Sequence, residues 1–173
     1  MSEQTFLIIL LLVHICAGVF WAGAAIYLAA FIAPAVKALG PEGAKFMQQM
    51  AKTNKLPLVM TLTSILTVLS GILLLWILSD GFQSAWMSSQ HGVILSIGGG
   101  LAIIAFLDGL LVTRPTVNKM NKLGNEFAAT GGSPTTEQMQ QLIAYRKKIF
   151  KANNFAALVI VIAVIFMSVA KYL

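Results

Sequence analysis

Residues 6–35 contain no aspartate, glutamate, lysine or arginine, and residues 58–78, 86–113 and 155–172 are nearly as free of charge. An α-helix crosses a bilayer core with roughly 20 apolar residues, so each run is of spanning length. Few folds tolerate such runs. Their apolar residues are continuous rather than alternating, which argues against membrane β-strands. The chain is 58% hydrophobic and 10% charged, with a mean hydropathy of +0.83. Soluble domains are about one-quarter charged. These features predict an all-α integral membrane four-helix bundle, a single transmembrane domain over residues 1–173. The first run reads as a retained helix rather than a cleaved leader, because Glu3 precedes it without any base and it outlasts an ordinary signal core.

Charge placement predicts the orientation. Lys37, Lys45, Lys52 and Lys55 lie in the loop 36–57, and Arg114, Lys119, Lys122, Arg146, Lys147, Lys148 and Lys151 in the loop 114–154. The loop between the second and third runs has Asp80 and no base. The positive-inside rule makes the two basic loops cytoplasmic and puts both termini on the opposite side. The net charge of +6 is thus a topology signal and a contact for anionic lipid. Nucleic acid is not an expected partner, since no aromatic residues are interleaved with a compact basic face. The single cysteine, Cys16, rules out an internal disulfide and a multi-cysteine zinc site.

Both basic loops carry helical signals. Pro41 can open a helix that places Phe46, Met47 and Met50 on one side, as in an interfacial helix. Thr135 and Gln138 fit a capping box, with Glu137 in the first turn of a helix that continues into the last span. The third helix is expected to run past Pro115 to about residue 129, giving a cytoplasmic helical hairpin extension turned at Gly131 and Gly132.

The chain's two histidines, His14 and His91, both fall in apolar runs. Counting from Phe6, His14 lies ~12 Å down its helix; counting from Trp86 as an interface anchor, His91 lies ~8 Å down. Similar depth on two helices suits the axial ligands of a b-type haem, since neutral imidazole is a common iron ligand. His14, Gly18, Trp21, Ala22 and Ala25 share a helical face, and His91 is followed on its face by Leu95, Gly98 and Gly99. Small residues there leave room for a porphyrin. Thr63, Thr67, Ser70 and Leu74 make a mildly polar stripe on the second helix. Plainer roles fit the same residues: an interhelical hydrogen bond for a histidine, close helix packing for the glycines, and core packing for Trp21, which outweighs direct chemistry there.

The spacing His14-x6-Trp21, then Ala22-Gly23 and Tyr27-Leu28, resembles the first helix of HemJ-type protoporphyrinogen oxidases, and "VLSGILLLW" on the second helix resembles that family's "GLLLL" segment. The copper-resistance D-type membrane proteins share this design. The resemblance implies a small bacterial inner-membrane protein with b-type haem on His14, and with Tyr27 near it. Where the family continues Pro-Arg, this chain has Ala29-Ala30, which removes a partner for a carboxylate.

Asp108 lies inside the third run, where carboxylates are functional candidates by default. An ion pair with Arg114, Lys37 or Lys55 is the favoured reading, ahead of a proton relay. Methionine thioethers suit Cu(I), but Met47, Met50, Met120 and Met139 fall in the basic loops, away from the histidines. The expected function is therefore electron transfer or a small membrane oxidoreductase activity using haem. Quinone or a membrane redox protein would be its partner, and self-association into a homo-oligomer is compatible. A copper-handling transporter and a cofactor-free accessory subunit are the alternatives.

Overall fold

The computed structural model describes residues 2–130 and 135–173. Their regular structure is entirely helical. Four helical rods, Glu3–Leu39, Leu56–Leu78, Gln90–Phe127 and Thr136–Tyr172, are long and apolar enough to cross a membrane. The turn expected at Gly131 and Gly132 lies outside the described residues.

The first rod consists of α1 (Glu3–Tyr27), a π-turn (Leu28–Ile32) and α2 (Ala33–Leu39). The third repeats this plan with α6 (Gln90–Asp108), a π-turn (Gly109–Thr113) and α7 (Arg114–Thr130). Pro34 and Pro115 follow the two π-turns. Proline has no N–H for the helical ladder, and its ring clashes with the carbonyl four residues back, at Ala30 and Leu111. Widening one turn relieves that clash without breaking either rod.

Between the first rods lies α3 (Pro41–Lys52), amphipathic as expected, with Pro41 in its first turn. Gly40 turns the chain at φ 56°, and α3 folds back so closely that a Cβ on Gly43 would stand 2.3 Å from the Val36 carbonyl oxygen. The second rod, α4 (Leu56–Leu78), stops in a Schellman cap. The Gly81 N–H reaches the Trp76 carbonyl at 2.8 Å and the Asp80 N–H the Ile77 carbonyl at 3.2 Å, with Asp80 left-handed at φ 49°. A short helix α5 (Ser84–Met87) follows, and Ser89 caps α6 by accepting from the Gly92 N–H at 3.1 Å. The last rod is α8 (Thr136–Val169) with a terminal 3₁₀ turn. Thr135 and Gln138 form the expected capping box at its start, with bonds of 2.9 and 3.2 Å.

The rods pair as two antiparallel hairpins. In one, α1 packs on α4; in the other, α6 packs on α8; and α1–α8 and α4–α6 contacts join them, leaving α1 and α6 diagonally opposed. Buried positions are mostly small, including Ala17, Ala29, Ser64, Ser70, Ala105, Ala157 and Ala163. The large apolar side chains point outward, with Val19, Phe31, Leu111 and Leu158 all more than 60% exposed. Small residues inside and bulky ones outside suit helices that pack in lipid, where close backbone approach drives association. The polar α7 lies along the first part of α8 and buries Leu123 and Thr116.

Candidate functional site

His14 lies about three turns into α1 and turns toward α4. Its Nδ1 is 2.9 Å from the Thr67 carbonyl oxygen and 3.3 Å from Ser70 Oγ. A carbonyl can only accept, so Nδ1 carries a proton and Nε2 is the ring nitrogen left open to a ligand. The Ser70 hydroxyl donates to the Leu66 carbonyl at 2.5 Å, its shortest contact, so its own lone pairs can take a share of the His14 proton. Thr67 and Ser70 are buried; the polar stripe read on this helix does face inward there. Glycine makes the approach feasible. A Cβ on Gly71 would lie 2.8 Å from His14 Cε1, and one on Gly18 would touch the Thr67 methyl at 3.4 Å. No partner for His14 Nε2 occurs among the described residues, and no unpartnered side-chain nitrogen there is sealed from its surroundings.

His91 stands in the first turn of α6. Its Nδ1 is 2.8 Å from the carbonyl oxygen of Ala170, the C-cap of α8, and its ring meets Trp86 edge-on with centroids 5.6 Å apart. Trp86 belongs to the separate helix α5, and the Ser89 cap starts α6 only after it, so the expected descent of His91 from Trp86 does not occur. Gly71, beside His14, precedes the end of α4 by ~10 Å of helical rise, which sets His14 the deeper of the two. Each histidine bonds the other helix of its own hairpin. The structure does not bring them onto one shared face.

The remaining residues assigned to the porphyrin have other surroundings. Trp21 is 7% exposed in the core with Ala105, Val159 and Ile160. Gly98 lies against α8, where a Cβ would stand 2.9 Å from Met167 Cγ and 3.1 Å from the Ala163 carbonyl oxygen. Tyr27 faces outward and packs on Phe31. Trp21 and Gly98 both pack against α8. His14 fits an iron ligand by its tautomer and accessible Nε2, and His91, with its own Nδ1–H on the Ala170 carbonyl, shares that tautomer. Among the described residues no three His, Cys, Asp or Glu side chains gather into a metal site.

Asp108 accepts a long 3.4 Å hydrogen bond from Thr113 Oγ1 across the π-turn. No ion pair joins it to Arg114, Lys37 or Lys55 among the described residues; the pair formed there is Lys45–Glu42 at 2.7 Å, exposed on α3. The carboxylate instead borders an open groove with Lys147, Lys148 and Lys151 of α8. Sequence reasoning missed Gly71, the Ala170 carbonyl and this groove. Gly71 left a signal as a glycine one turn beyond Thr67 in "LSGILL", and the groove's lysines stood in the basic run 146–151; the Ala170 carbonyl left none. No family model, curated protein or solved structure matches the chain.

Proposed function

We propose that the chain is a multi-pass protein of the bacterial inner membrane, with both termini outside, that binds b-type haem through His14 and transfers electrons to or from quinone or a membrane redox partner. The observation that carries this reading is the His14 ring, held by its Nδ1–H on a backbone carbonyl with Nε2 accessible. Metal-ligating histidines commonly donate their second nitrogen in this way, which fixes the tautomer and raises basicity. The apolar outer faces of the rods and the confinement of nearly all bases to one end support the membrane placement and its orientation. The α7–α8 extension would then be cytoplasmic. When bound, the haem supplies one-electron chemistry. The chain's own part is to orient the ring and present Nε2.

Electron transfer is favoured over porphyrinogen oxidation because Ala29 and Ala30 offer nothing to a substrate carboxylate. A cofactor-free role has one observation in its favour: the same His14–Thr67 bond is an ordinary interhelical staple. The visible spectrum of the purified protein in detergent decides between them. The expected result is a Soret band and a sharp reduced α-band, both lost in His14→Ala. A colourless protein, even after reconstitution with haemin, would leave His14 as a staple.

A further inference from the structure

Where the second π-turn packs on α8, a groove runs between the two, lined by Asp108 and Val112 on one side and by Ala144, Lys147, Lys148, Lys151, Ala152 and Phe155 on the other. Its α8 wall is a stripe in which the lysines come first and Phe155 follows toward the apolar part of the rod. None of the three lysines forms an ion pair among the described residues, and Asp108 offsets only one of their charges. An open groove with a surplus of two positive charges at one end and an apolar floor at the other matches an amphiphile with an anionic head.

We infer that this groove is a binding site for an anionic phospholipid of the leaflet at the lysine-rich end. The phosphate is held by Lys147, Lys148 and Lys151, and an acyl chain lies along Val112, Ala152 and Phe155. The inference rests on the membrane placement proposed above and is independent of haem. Lysine ammonium groups are point-charge phosphate binders on long flexible stems, so they suit a headgroup at a boundary rather than a rigid bidentate ligand. The apolar floor is what separates a lipid from free phosphate. Asp108 lines the same groove and weakens it for an anion.

The test is native mass spectrometry of the full-length protein released from detergent, titrated with phosphatidylglycerol and, in parallel, with phosphatidylcholine. Lys147→Gln/Lys151→Gln is compared with Lys119→Gln/Lys122→Gln, which removes the same charge from α7. The groove variant is expected to lose phosphatidylglycerol affinity roughly 25-fold, at about fivefold per ammonium group. The α7 variant should keep it, and Asp108→Asn should raise it a few-fold. Equal losses in the two double variants would reduce the effect to diffuse charge and overturn the site. Full competition by millimolar inorganic phosphate would overturn the lipid as its occupant. A protein that enters micelles and folds yet binds both lipids equally would overturn the site while leaving the membrane reading intact.

Discussion

The two hairpins follow one plan and are locked at different places. In each, a histidine of the first helix gives its Nδ1–H to a carbonyl of the second: His14 to Thr67 in the first hairpin, His91 to Ala170 in the other. Ala170 is a helix C-cap whose carbonyl takes a long 3.4 Å bond from the Leu173 N–H, so His91 strengthens the partnering of a helix end. Thr67 lies inside α4, where the helical ladder already serves its carbonyl. His14 therefore answers no backbone need. One histidine is accounted for by the fold; the other is not, which marks His14 as the functional candidate of the pair.

The sharpest way to break this contrast is spectroscopic. His14→Ala should abolish the Soret absorbance, whereas His91→Ala should retain it in full. Equal loss from both would restore the two histidines as a joint ligand pair and erase the distinction between the hairpins. The next largest effect comes from one substitution made in each hairpin. Gly98→Ala meets the α8 backbone as well as Met167 and should cost about 1–3 kcal/mol, read as a lower melting temperature in detergent. Gly71→Ala meets first the His14 ring, a side chain rather than backbone, so its stability loss should be smaller while haem retention falls. A Gly71→Ala protein with unchanged haem would show that the ring's seat on α4 is irrelevant to ligation.

A smaller effect is expected for His91→Ala, at about 1 kcal/mol for a lost hydrogen bond at a helix end. Thermal melting should register it, and any change in reduction potential would contradict a purely capping role. Smallest is Ser70→Ala. The Thr67 carbonyl still accepts from His14, so stability should move by no more than ~0.5 kcal/mol. A large loss of haem there would transfer the orienting role from the carbonyl to the hydroxyl.

Much of the fold was legible because its signals are local. The four long apolar runs, Pro41 at the start of α3, and the pairing of Thr135 with Gln138 each depend on residues within a turn or two. The site was less legible because it depends on which neighbour a helical face meets. Gly18 and Trp21 share a face by counting, yet Gly18 touches Thr67 of α4 while Trp21 packs with Val159 and Ile160 of α8. Periodicity cannot assign partners. The height of His91 was misjudged because Trp86 reads as a helix start, when the cap is Ser89 and a Cβ on Gly92 would lie 2.2 Å from the Trp86 carbonyl oxygen. The Ala170 carbonyl belongs to the backbone and has no side-chain signature at all.

The π-turns at Leu28–Ile32 and Gly109–Thr113 act as phase shifters. Each adds one residue to the helical count, which rotates everything beyond it by about 100° relative to an uninterrupted α-helix. The face that meets the bundle before the turn is thus not continued by the same heptad positions after it. Ala105, Thr116 and Leu123 would share one face of an uninterrupted α-helix; the π-turn rotates the last two off the azimuth of Ala105, so the rod buries one side before the turn and another, along the polar part of α8, after it. Deleting Leu111 would convert the turn to plain α-helix and swing α7 off that surface, whereas a substitution of Leu111, 65% exposed, would leave the phase intact. In these rods, residue number carries orientation independently of residue identity.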